Sequence, residues 1–120
     1  MYPFPSDEQL RIFVGDAIAQ VSMDPYAVQF SFESMRRLVA EHRIEHLEPN
    51  GTVWGYDCEA AEGPPLLLHR LLYRRIVAIE REDLRLTLRF EDTSALAVLS
   101  ELGPYECGHI AAPEMGLVIF

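Results

Sequence analysis

Apolar and polar residues alternate most cleanly over residues 84–91. Leu84, Leu86, Leu88 and Phe90 point one way, and Arg85, Thr87, Arg89 and Glu91 the other. A side-chain period of two belongs to a β-strand with one wet face. Residues 27–33 read the same way, Val28, Phe30 and Phe32 alternating with Gln29, Ser31 and Glu33. A strand is predicted before each, over about 17–23 and 75–81, with tight turns at Asp24-Pro25 and Glu82-Asp83, residue types suited to turning. A third strand is predicted after each, over about 36–43 and 94–99.

Helical signals are short. Ser6 and Gln9 have capping-box spacing ahead of Leu10, Phe13 and Val14, which predicts a helix over about 7–14 that Gly15 ends. Pro64-Pro65 opens a second predicted helix, with Leu66, Leu67, Leu68, Leu71 and Leu72 as its apolar side. Between these halves, Pro49-Asn50-Gly51 is a turn, and residues 52–59 form an extra strand carrying Trp54 and Tyr56. The apolar end Leu117 to Phe120 predicts a final strand tucked into a sheet.

The pattern is doubled. One fixed offset of roughly 60 residues carries Phe32 onto Phe90, Glu33 onto Glu91, Leu38 onto Leu96 and Ile18 onto Ile76. The expected fold is α+β and strand-dominated, with two pseudo-symmetric three-stranded meanders. Each is led by a short helix, and extra strands come from the linker and the C-terminal segment. All 120 residues form one domain, with repeat one over about 6–46 and repeat two over about 64–104. The segments F-V-G-D-A-I-A-Q-V and L-L-Y-R-R-I-V-A-I-E, each joining a leucine-bearing helix to a hairpin, resemble a family of small bacterial proteins of unknown function. Where that family carries Y-E-x-W, this chain has Tyr105, Glu106, Cys107 and Gly108, and Tyr73 stands in place of a glycine. The resemblance implies a shared fold and brings no activity with it.

Charge narrows the function classes. A net charge of −9, with acids spread along the chain, lacks the basic footprint that nucleic acid requires. It would suit a basic protein partner. No apolar run approaches the ~20 residues of a membrane span, and the opening residues lack a secretory pattern, so the expected setting is cytoplasmic with no membrane contact. Cys58 and Cys107 are then expected as free thiols.

Candidate chemistry is sparse. His42 and His46, four apart and flanked by Glu45 and Glu48, could ligate a divalent ion. The metalloprotease pattern fails, because Arg43 stands where its glutamate would be, and a core or surface histidine is the simpler account. Cys107 and His109 share a strand face and could form a thiolate–imidazole pair, but no oxyanion hole can be placed. Arg85 and Arg89 expect cross-strand acids such as Glu80 or Glu82. Trp54, Tyr56 and Tyr105 lie in segments without a counterpart in the other half, where a binding role would be added. No phosphate loop, dinucleotide fingerprint or nucleophile elbow is present, so no cofactor and no metal is expected.

The sequence thus favours a non-catalytic interaction module that binds a basic protein partner or a second copy of itself as a homodimer. The competing reading is a small enzyme or a ligand- or metal-binding protein with a site around His42, His46, Trp54, Asp57 and Glu106. On either, the weak candidate binding residues are His42, His46, Trp54, Asp57, Tyr105, Glu106 and His109.

Overall fold

The computed structural model describes all 120 residues. One α-helix, α1 (Asp7–Leu10), continues into a 3-10 turn over Arg11–Phe13. Its capping box is formed, with Ser6 accepting from the Gln9 backbone N–H and Gln9 reaching back, and Gly15 follows at φ +88°. The second predicted helix is only a 3-10 turn, Leu68–Leu71, burying Leu68 and Leu71. A turn with no helical continuation suffices there, because those two leucines reach the core without a further turn.

The chain forms ten strands. The first three are β1 (Ile18–Asp24), β2 (Ala27–Phe32) and β3 (Arg37–Ala40). Next come β4 (Arg43–Leu47) and β5 (Val53–Asp57), then β6 (Ile76–Glu82), β7 (Arg85–Phe90) and β8 (Ala95–Leu99). The chain ends in β9 (Gly108–Ala112) and β10 (Gly116–Ile119), a hairpin where one strand is expected from the sequence.

These strands make two antiparallel five-stranded sheets, ordered β1-β2-β3-β9-β10 and β5-β4-β8-β7-β6. The third strand expected over 36–43 is therefore corrected. It stops at Ala40, the chain bends at Glu41 and His42, and Arg43 opens β4 in the other sheet beside β8. The return crossing runs from β8 through residues 100–107 to β9, which pairs with β3. Each meander is thus extended by a hairpin from the other part of the chain.

One core lies between the sheets. Val28, Phe30, Phe32, Leu38 and Ile110 from one sheet join Ile44, Leu86, Leu88, Phe90, Leu96 and Val98 from the other, with Leu10, Phe13, Leu68 and Leu71 closing it. Each large side chain buried here contributes about 1.5–3 kcal/mol. Gly108 marks the tightest point. At φ +154°, a Cβ on it would stand 2.1 Å from the Val39 carbonyl oxygen and 2.5 Å from the Phe120 ring. At the rim, Asp16 is buried but satisfied: it accepts from the Ala17 N–H at 2.9 Å, from Arg36 at 2.9 Å and from the Ser34 hydroxyl. No helix is long and apolar enough to cross a membrane.

Candidate functional site

The two crossings between sheets lie side by side, and a cleft of about 400 Å³ opens between them. The β3–β4 bend supplies Glu41 and His42, the segment after β5 supplies Glu59, and the β8–β9 crossing supplies Glu101, Tyr105 and Glu106. Tyr26, from the β1–β2 turn, completes one side. These side chains gather here because a chain leaving one sheet for another must break its ladder, and residues at such breaks are freed from the inward–outward alternation.

Four carboxylates line the cleft and no arginine does, while the Met1 ammonium sits at its edge, donating to the Glu101 carbonyl at 2.6 Å and to Cys107 Sγ at 3.4 Å. Glu41 is held above the ordinary carboxylate range, first by burial and then by the charge of Glu106, against the opposing pull of His109. The His109 Nδ1 lies 3.2 Å from Glu106 and 3.8 Å from Glu41, while His42 stands 3.7 Å from Glu101. Oxygen and nitrogen atoms of Glu41, Glu106 and His109 all fall within 4.8 Å of one another, a set able to hold a divalent ion. Around the rim, Tyr26, Leu102 and Tyr105 are 71%, 63% and 82% exposed.

The candidates from the sequence separate into two places. His42, Tyr105 and Glu106 line the cleft, and His109 contacts its carboxylates. His46 does not join them; it is 1% exposed and faces another cavity beside Glu48. Trp54 belongs with that second place, its indole N–H donating to Glu48 at 2.8 Å. Asp57 serves a turn, accepting from the Ala60 N–H. The four-residue spacing of His42 and His46 fails to bring them together because the bend lies at one and a regular strand holds the other. Glu45 is likewise taken by Arg85, and Glu80 by Arg89.

The thiols have no imidazole partner in hydrogen-bonding range. Cys107 Sγ meets the Glu101 N–H at 3.2 Å, while His109 is turned to Glu106. Cys58 is buried, and burial, reinforced by Asp57, pushes its thiol up to about 11. Both cysteines are free.

Sequence reasoning missed Tyr26, Glu41, Glu59 and Glu101 as cleft residues. They come from four separate segments, and no local spacing links them. A larger depression of about 520 Å³ on the first sheet is a shallow surface, and its Arg36 is already engaged by Asp16 and Glu114.

Fold and site together define a strand-rich α+β protein of two antiparallel sheets with an acidic cleft at the crossings between them. No family model, no curated protein and no solved structure matches the chain. The functional reading therefore rests on the geometry.

Proposed function

We propose that the protein is a non-catalytic binding module whose acidic cleft receives a cationic side chain, an arginine or lysine, of a basic protein partner. The observation that carries this reading is the convergence of Glu41, Glu59, Glu101 and Glu106 on one cleft with no arginine in its lining. Two of these carboxylates are close enough to repel each other, and an incoming guanidinium relieves that repulsion while pairing with both. The exposed Tyr26 and Tyr105 rings offer flat surfaces for the stem of the same side chain. The cleft lacks an assembled nucleophile and base, which favours binding over turnover.

A titration followed by amide NMR tests this, using a short arginine-rich peptide and a glutamate-rich peptide as control. Shifts centred on residues 41–42 and 101–106, weakening steeply with salt, support the reading. A peptide that shifts nothing there, or shifts Glu41→Gln/Glu106→Gln protein equally, removes it. If a divalent ion such as zinc alone saturates the same residues at micromolar concentration, the cleft is a metal site and the basic-partner reading fails.

Pairing with a second copy is a further reading, favoured by one edge strand. β10 carries no charge, and its Leu117 and Ile119 are 63% and 38% exposed. Phe120 exchanges main-chain bonds with Cys107 and Gly108, so by alternation Leu117 and Ile119 turn their N–H and C=O groups outward. Sedimentation separates the cases: a dimer that Leu117→Lys dissociates supports pairing through β10, and a wild-type monomer refutes it.

The doubled sequence pattern is read here as a true internal repeat. In its support, β1–β2 and β6–β7 have the same register irregularity, between Ile18 and Gln20 and between Ile76 and Ala78. Met35 and Thr93, matched by the same offset, both sit at φ 72°. Ala17 and Arg75, also matched, pair with each other.

A further inference from the structure

The second cavity, about 280 Å³, is lined without a single hydrophobic residue, by His46, Glu48, Pro49, Arg70, Arg74, Asp92 and Ser94. It lies on the far side of β4 from the acidic cleft in chain order, between the end of that strand, the Leu68–Leu71 turn and the β7–β8 turn. His46 forms part of its wall, and the Nδ1 of that ring is the one buried side-chain nitrogen or oxygen of the protein that lacks a hydrogen-bond partner. An orphaned polar atom in a residue only 1% exposed costs about 1–3 kcal/mol, so a bound group that gave the ring a partner would be stabilising.

The hydrogen-bonding groups around the cavity say what that partner is. Both oxygens of Glu48 are occupied, one by the Trp54 indole N–H at 2.8 Å and the other by Arg70. Asp92 accepts from both the N–H and the hydroxyl of Ser94. Oδ2 of Asp92, which faces Arg74 at 3.6 Å, accepts no hydrogen bond, but the other carboxylate oxygens are satisfied from within. The donors are not. Arg74 approaches Asp92 no closer than 3.6 Å, makes no hydrogen bond to the protein, and is 51% exposed. Arg70 spends one nitrogen on Glu48 and is 58% exposed. The spare capacity is thus two guanidinium edges and one imidazole, a donor-rich arc.

We propose that this cavity is a binding site for a small oxyanion, of the phosphate or carboxylate class. Arg74 and the free edge of Arg70 take two of its oxygens, and the His46 ring donates to a third. The Glu48–Arg70 pair then acts as a positioning element, fixing the guanidinium that faces the anion. The site is independent of the acidic cleft and of the reading given to it, since the two share no lining residue. Burial holds the imidazole below its ordinary value, against Glu48 and Asp92 and with Arg70 and His69. A neutral imidazole still offers one N–H, which is all the geometry asks of it.

The test is a titration followed by the ring resonances of His46 and the guanidinium Nε–H signals, at constant ionic strength. Inorganic phosphate and malonate are the two probes, with chloride as the control. Saturable shifts of His46 and Arg74 with a dissociation constant of about 1 mM or below support the site. The tighter of the two probes says whether phosphate or carboxylate is preferred. Arg74→Gln, at an exposed position with no hydrogen bond to lose, should fold normally and weaken binding about tenfold or more. Shifts equal to those of chloride, or an unchanged affinity in Arg74→Gln, overturn the proposal and leave ordered water as the partner of Nδ1.

Discussion

Replacing Glu41 with glutamine should make the protein more stable while impairing the cleft. The Glu41 carboxylate accepts no hydrogen bond from the protein, and the His109 Nδ1 lies 3.8 Å from it. Its like-charged neighbour Glu106 has an oxygen within 4.8 Å. Two unit charges at that separation repel by about 1 kcal/mol in bulk water, and by about 3.5 kcal/mol at an effective dielectric of ~20. Both side chains are 34% exposed, so solvent and salt screen the pair toward the lower figure. The expected gain for Glu41→Gln at neutral pH is therefore about 1 kcal/mol, or roughly 0.5 M in the urea midpoint.

The pH dependence follows from the raised value of Glu41. Its native form holds a proton more tightly than the unfolded chain, whose carboxyl titrates near about 4.3. Below that value both states are protonated and the substitution gains nothing. As pH rises through the native value, the wild type loses stability that the variant keeps. Urea unfolding at pH 7.5 and at pH 4, in low and high salt, reads this directly. Adding Glu106→Gln to Glu41→Gln should gain little more, because the first change already removes the repulsion and the second loses the contact with His109. A Glu41→Gln protein that is less stable than wild type at pH 7.5, or a gain that persists at pH 4, would refute the like-charge account. Loss of basic-peptide binding in the more stable variant would mark a site kept at a cost in stability.

Three other outcomes are expected. Gly108→Ala should cost about 3 kcal/mol or more, because its Cβ would meet the Val39 carbonyl and the Phe120 ring, whereas Gly116→Ala, with nothing within 4 Å, should cost only about 1 kcal/mol; thermal melts of the pair decide it. Arg36→Met should cost about 2 kcal/mol by leaving the buried Asp16 carboxylate without its cation, and adding Asp16→Asn should recover part of the loss, which chemical denaturation of the single and double variants can measure. His46, lowered by burial, binds its proton less readily when folded than the unfolded chain does near about 6.5; its contribution is complete above that pH and falls away on acidification, so the stability slope between pH 7 and 5 should be shallower in His46→Gln.

Much of the scaffold was legible in the sequence. The alternation at Val28, Phe30 and Phe32 and at Leu86, Leu88 and Phe90 specified strands and their buried faces, because a period of two leaves no other way to segregate those side chains. The Ser6–Gln9 capping box and the cross-strand pair of Arg89 with Glu80 were readable for the same reason: both depend on neighbours close in sequence or joined by one tight turn. Reading residues 36–43 as one strand failed, since no residue type announces that a strand will change sheets at Glu41. The same bend undid the pairing of His42 with His46.

The candidate sites were legible only in fragments. Glu106, Tyr105 and His42 could be singled out, but Glu41, Glu59 and Glu101 are ordinary acids until two crossings set them side by side. Nothing near His46 in the chain points to Arg70, Arg74 or Asp92, which reach it from a turn and a hairpin far along the sequence. The strands with clear alternation, their buried faces and the first helix were determined by the sequence itself, because local sterics and hydrophobic periodicity act over a few residues. Which sheet each hairpin joined, and hence which charges were forced together, was decided only by the tertiary structure. Long-range pairing and packing select one partner for each edge, and no short-range pattern encodes that choice.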